Sequence, residues 1–366
     1  MKNGKIQIGI VGCGGIANGK HFPALAKLSN LCDLVAFCDI IPERAEKAAQ
    51  EYGVPGAQVF TDYHDLLNED SIDEVHVLTP NVSHCEITCA ALEVGKHVMC
   101  EKPMAATPAD AHRMLDAYHK SGKLLTIGYQ NRFRDDSLFL KKYCEENGLG
   151  EIYFAKAYAL RRRGVPTWGV FTDKSKQGGG PLIDIGTHSL DLALWCMDNY
   201  KPRTVLGASY EKLGRLLNPD EQGNGGGSWD NTTYDVEDSA FGYVVMENGA
   251  SIFLQSSWAL NIDDSRQAKI TLCGTKAGSD MNDGLRINTV IQNKQTMILP
   301  NTDTYRPGTD LLSGFGVAAD RESEAWLGAI LNKNELVVKP EQAIVVTEIL
   351  DAIYRSSAQK KAIDFN

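Results

Sequence analysis

Ile6-Gln7-Ile8-Gly9-Ile10-Val11-Gly12-Cys13-Gly14-Gly15-Ile16-Ala17 is the stretch on which the reading of the fold turns. Ile6 to Val11 is short, apolar and rich in β-branched residues, as a buried strand should be. Gly12 to Ala17 follows without a spacer and fits G-x-G-x-x-A. A helix pattern through Ala24, Leu25 and Leu28 comes next. Glycines are common at strand-to-helix turns, so the pattern alone is weak evidence. Its setting gives each small residue a task. Gly12 permits a tight turn, Gly14 and Gly15 let a pyrophosphate approach the backbone, and Ala17 allows close helix–strand packing. The N–H groups from Ile16 onward would face the phosphates.

The next strand, Asp33 to Phe37, runs up to Asp39, 22 residues after Ala17. A carboxylate there can accept from both ribose hydroxyls and repels a 2′-phosphate, which favours NAD. Arg44 nearby leaves room for NADP, and Asp39 could instead only cap the helix that starts at Pro42. Strand and helix patterns then alternate to Gly128. They predict a mostly parallel, doubly wound sheet over residues 1–128. Ligands on such sheets bind beyond the carboxyl ends of the strands. Thr79, Asn81, His84, Glu101, Lys102 and Gln130 fall in or beside those loops and are expected cofactor contacts. Lys102 follows an apolar strand and precedes a proline. An ammonium so placed can donate to a substrate oxygen and favour its alkoxide. The plainer alternative is a surface lysine paired with Glu101.

The second stretch that carries chemistry is Gly178-Gly179-Gly180-Pro181-Leu182-Ile183-Asp184-Ile185-Gly186-Thr187-His188. Three glycines and a proline suit a turn feeding a helix. Asp184 and His188 are four residues apart, so they leave the same face. An acid and an imidazole so arranged can hold a hydroxyl and take its proton. A capping aspartate and a core histidine would leave the same trace.

Taken together, Gly12-Cys-Gly14-Gly-Ile-Ala17, Glu101-Lys102-Pro103 and Gly180-(x3)-Asp184-(x3)-His188 resemble the Gfo/Idh/MocA oxidoreductases. The similarity runs from Lys5 to about Phe365. The resemblance implies an α/β chain: an N-terminal Rossmann domain and, over residues 129–366, a C-terminal α/β domain with an open, mostly antiparallel sheet. It implies hydride transfer between a sugar or cyclitol C–H and NAD, with Lys102, Asp184 and His188 as catalytic residues. It also implies a homodimer or homotetramer.

Thirty-seven Lys and Arg against 47 Asp and Glu give a formal charge of −10, a poor match to a nucleic-acid backbone. No apolar run approaches the roughly 20 residues that span a bilayer. Nine cysteines without a CxxC pair read as reduced thiols of a cytoplasmic protein.

Arg161-Arg162-Arg163 and Trp168 follow a strand from Glu151 to Leu160. Such a basic run is ordinarily a solvated face; the functional alternative puts Arg163 and Trp168 over the substrate. Glycine-rich Leu213 to Asp235 reads as a long loop, a surface excursion or a lid. Further strands are expected at Arg203–Tyr210, Asp238–Met246, Ala250–Trp258, Lys269–Cys273 and Thr289–Leu299. The helices Ser323–Leu331 and Glu341–Ser356 are assigned structural roles only. The expected activity is NAD-dependent oxidation of a sugar, glycoside or cyclitol hydroxyl, with no metal. The rivals are a ketosugar reductase using NAD(P)H and a catalytically silent, dinucleotide-sensing regulator.

Overall fold

Six strands form the first sheet: β1 (Ile6–Val11), β2 (Cys32–Cys38), β3 (Gln58–Phe60), β4 (Glu74–Val77), β5 (His97–Cys100) and β6 (Leu125–Ile127). Every neighbouring pair is parallel, and the order is β3-β2-β1-β4-β5-β6. That order reverses between β1 and β4, which is where such sheets open a crevice for a dinucleotide. All six residues of β1 are buried, which explains why it is apolar at every position but Gln7. Ile6, Ile8, Ile10, Phe22 and Phe37 are fully buried in one core, each worth about 1.5–3 kcal/mol.

The computed structural model describes residues 1–217, 231–263, 265–302 and 316–365. Contacts divide the chain into Met1–Phe133 with Gly308–Ile344, and Arg134–Pro307 with Val345–Asn366. By contacts, then, the first unit draws on two separate stretches of the chain. The physical reason lies in the helix Gly316–Ile330, whose Trp326 and Leu327 join the core of β1 and β2. Arg132, with no exposed surface, ties the return segment in place by donating to the Val337 carbonyl at 3.0 Å and to Gln342 Oε1 at 2.7 Å.

The second unit is built on nine strands: β7 (Ile152–Leu160), β8 (Pro202–Tyr210), β9 (Ser239–Met246), β10 (Ser251–Ser257), β11 (Arg266–Gly274), β12 (Gly278–Asp280), β13 (Arg286–Ile291), β14 (Lys294–Ile298) and β15 (Ile363–Asp364). Their order is β14-β13-β12-β11-β7-β10-β9-β8-β15, antiparallel except where β7 meets β10. The strand expected over Thr289–Leu299 is instead part of a hairpin. Gln292 and Asn293 both take positive φ (50° and 61°), as a two-residue type I′ turn requires. Of the glycine-rich loop expected at Leu213 to Asp235, positions 218–230 lie outside the described residues. Among the described residues, no helix is long and apolar enough to cross a membrane.

Candidate active site

In the first unit the strand-end loops come together around the β1 turn. Gly12 has φ +98°, and a Cβ there would lie 2.6 Å from the Leu78 carbonyl, so the loop after β4 passes directly against it. Gly14 and Gly15 face open space. Beside the turn, Asp39 accepts from Cys13 N–H at 2.8 Å and Ile41 N–H at 2.9 Å. Each of its oxygens keeps a second lone pair, so two ribose hydroxyls can still be met. An open glycine turn flanked by a fixed carboxylate fits a dinucleotide. Ile16 is half-buried and Arg44 is exposed.

The other strand-end residues divide into those that face outward and those that brace. Asn81 is nearly buried, and Thr79 Oγ1 accepts from the Ser83 hydroxyl at 2.8 Å. His84 has no exposed surface; its Nε2 meets the Thr79 carbonyl at 2.9 Å and its Nδ1 the Pro103 carbonyl at 2.8 Å. Burial holds this imidazole below its ordinary pKa, against the pull of the two carbonyls. Its ring thus lies between the loops after β4 and β5, a neutral imidazole donating to one of the two carbonyls. Glu101 likewise turns inward and accepts from Lys20, His21 and the Lys102 N–H. Gln130 Oε1 lies 3.4 Å from Lys20 Nζ. Lys102 is partly exposed at the head of a cis peptide with Pro103. Any cofactor contact from His84 and Glu101 would have to come from backbone.

In the second unit, Leu182–Gly186 winds as a wide π turn that opens the helix Thr187–Met197. Such turns are rare and occur often at functional sites. The Glu237 carboxylate shapes it, accepting from Gly180 N–H at 2.8 Å, Leu182 N–H at 3.1 Å and the Tyr354 hydroxyl at 2.7 Å. Gly180 is pressed on the Glu237 carbonyl so closely that no Cβ fits. Asp184 remains partly exposed, and the Trp258 indole N–H donates to its Oδ2 at 3.1 Å. His188 keeps 9% of its surface.

Arg161 lies close enough to Asp184 for their charges to interact. Burial lowers its guanidinium pKa and the Asp184 charge raises it, with burial prevailing. It donates to the Gly164 carbonyl at 2.9 Å and to Gln267 Oε1 at 3.2 Å. Arg163, chosen from the sequence, donates instead to Asn261 Oδ1 at 2.8 Å and to the Arg162 carbonyl. Trp168 is 53% exposed and set edge-on to Phe171. Sequence reasoning missed Arg161, Glu237 and Tyr354. Of these, only Arg161 left a signal, as the first residue after an apolar strand.

Two family models match the chain: an oxidoreductase family with an NAD-binding Rossmann fold over residues 6–129, and an oxidoreductase family C-terminal alpha/beta domain over residues 141–365. D-glucoside 3-dehydrogenase of Escherichia coli (strain K12) is 36% identical over 357 residues, 98% of this chain and 97% of that protein. Inositol 2-dehydrogenase of Salmonella paratyphi B is 31% identical over 54% of this chain and 56% of its own length. Among solved structures, levoglucosan dehydrogenase in complex with NADH has TM-score 0.82 at 21% identity, covering 99% of both chains. Aldose-aldose oxidoreductase from Caulobacter crescentus has TM-score 0.77 at 23% identity, covering 99% of this chain and all of that one. At such identities these two establish the fold alone.

Proposed function

The chain belongs to the Gfo/Idh/MocA oxidoreductase family, and on that premise we propose that it is an NAD-dependent dehydrogenase of D-glucosides, oxidising a ring secondary hydroxyl at C3. What supports this reading most is a likeness to D-glucoside 3-dehydrogenase that runs almost end to end. When bound, NAD supplies the hydride acceptor. Gly12, Gly14, Gly15 and Asp39 would hold it, the glycines at the pyrophosphate and Asp39 at the ribose.

Lys102 donates a hydrogen bond to the reacting hydroxyl and favours the alkoxide as negative charge develops. His188 accepts the hydroxyl proton. Asp184, itself held by Trp258, orients the substrate and stabilises the imidazolium. Arg161 or Arg163, with Trp168, grips the sugar away from the reacting carbon. In the reverse direction the same groups protonate a ketone, so a ketosugar reductase needs no further residue.

The free thiols of all nine cysteines support a reducing, cytoplasmic setting. Assembly as a homodimer or homotetramer is proposed through the second sheet. There Leu206, Tyr243 and Phe253 stand in register across β8, β9 and β10, the first two 55% and 44% exposed.

The test is NADH formation on a panel of methyl D-glucosides, free aldoses and inositols, followed by product analysis for the 3-keto sugar. Lys102→Met and His188→Ala should each lower turnover by about 10²-fold or more. Near wild-type turnover in both variants would refute the assigned roles. Activity confined to inositols would refute the substrate.

A further inference from the structure

The Glu101 carboxylate gathers three donors from two separate loops of the first unit. Lys20 Nζ lies 2.7 Å and His21 Nε2 2.8 Å from its Oε1, and the Lys102 N–H lies 3.1 Å from its Oε2. Gly128 backs the group so closely that a Cβ would sit 3.0 Å from Oε1. Lys20 Nζ is also 2.8 Å from Glu322 on the helix Gly316–Ile330. Behind His21 stands His76 of β4, with the two Nδ1 atoms 3.1 Å apart and the rings at 86°. Lys20, His21, His76, Glu74, Glu101 and Glu322 are all nearly or wholly buried.

Polarity along this column follows from the chemistry of its ends. A carboxylate only accepts, so His21 must carry its proton on Nε2. Burial keeps both imidazoles below their ordinary pKa and therefore neutral. The His21 Nδ1 is then a bare lone pair, and the hydrogen in the contact between rings belongs to His76 Nδ1. Two neutral histidines are thus locked in opposite tautomers. His76 Nε2 lies 3.1 Å from Glu74 Oε1 but outside hydrogen-bonding alignment, while Trp326 Nε1 donates to that same oxygen at 3.0 Å. Burial raises the Glu101 carboxyl, but Lys20 and His21 together hold it well below its ordinary range.

Lys20 and His21 sit on Ala17–His21, a wide turn that follows the glycine loop directly. We propose that Lys20 and His21 are positioning residues for Lys102: through the Glu101 carboxylate they tie the dinucleotide-binding turn to the peptide from which the Lys102 side chain departs. The proposal rests on the reading of Lys102 as the hydroxyl-binding residue. Its consequence is that the cofactor turn and the substrate lysine share one buried anchor.

The decisive measurement is a long-range ¹H–¹⁵N spectrum of the full-length protein labelled in histidine, assigned with His21→Gln and His76→Gln. His21 should report as the Nε2–H tautomer and His76 as the Nδ1–H tautomer; an imidazolium or the reverse tautomer at His21 overturns the proposal. Hydrogen exchange at the Lys102 amide is the second readout, and neither needs a substrate. His21→Leu should speed that exchange about tenfold or more, and His21→Gln, whose amide reaches the same oxygen, should restore it.

Where the wild type oxidises methyl β-D-glucoside, His21→Leu should also lower kcat about tenfold and move the acid limb of its pH profile upward, because Glu101 loses a donor that favours its charged form. A merely structural role would lower the active fraction and leave that limb in place, which would overturn the proposal. If His21→Leu does not fold, the wild-type tautomers and the exchange in His21→Gln decide. If no sugar is oxidised by the wild type, the functional reading falls, while tautomers and amide exchange still decide this one.

Discussion

Two wide turns, Ala17–His21 and Leu182–Gly186, each follow a glycine-rich stretch and open a helix, yet they are held by opposite means. The first sends its Lys20 and His21 inward, where charge meets charge: Lys20 between Glu101 and Glu322. The second is held from outside by one carboxylate, Glu237, which takes two backbone N–H groups and the Tyr354 hydroxyl. The first turn therefore spends its functional-looking side chains on bracing. The second has its bracing supplied by Glu237 and Tyr354, which leaves Asp184 partly exposed and His188 with 9% of its surface. A charged residue on a rare turn is not by that fact a ligand contact; its role depends on what holds the turn.

The contrast makes Lys20→Met the most damaging change. It leaves Glu101 and Glu322 buried without their shared cation and should cost about 3–5 kcal/mol in denaturant unfolding. A loss below about 1 kcal/mol would mean the first turn is not held by charge.

Next comes pH. Burial above all pushes the Glu322 carboxyl up to about 7, from an ordinary 4.5. A raised folded value means the stabilisation is full below about 4.5 and is lost as pH rises through about 7. One such group lowers stability by up to about 3 kcal/mol across that window. Glu322→Gln should flatten this decline in the unfolding free energy, and an unchanged slope would show that another group carries it.

Smaller effects belong to the second turn. Tyr354→Phe removes one of three donors to Glu237 and should cost about 1–2 kcal/mol, read in thermal unfolding. Trp258→Phe should be mildest in stability, about 0.5–1.5 kcal/mol, because Asp184 can be partly rehydrated. If it acts on Asp184 as argued, kcat on a glucoside falls several-fold while NADH affinity holds. A loss confined to NADH affinity would break the argument.

The sheet of the first unit was legible because β1 is buried on both faces and its glycine turn follows at once. The Gln292–Asn293 turn was not, since it lacks glycine and the polar residues after it, Lys294 to Thr296, belong to a largely exposed strand. The periodicity of Ser323–Leu331 announced a helix with an apolar face. It could not say that Trp326 and Leu327 pack against strands laid down some 300 positions earlier. Asp184 stood out between two isoleucines, Lys102 at the end of an apolar strand and before a proline, and His188 by its four-residue spacing from Asp184. Lys20-His21 did not, because a charged pair near a helix start reads as solvated until Glu101 and Glu322 are seen beside it. Arg161 was hidden in a run of three arginines, and its interaction with the Asp184 charge shows only once the strand end is folded.

The helix that carries Glu322 and Trp326 has a bearing on synthesis. On the ribosome, β1 to β6 emerge complete within the first 127 positions, but the lid of their core lies beyond position 316. At about 5–20 residues per second, some ten seconds or more pass between the two events. Throughout that interval Lys20 and Glu101 have no Glu322, and the apolar surface awaiting Trp326 is wet. A nascent chain arrested before that helix should be cut by protease within the first unit, whereas one released after position 344 should resist.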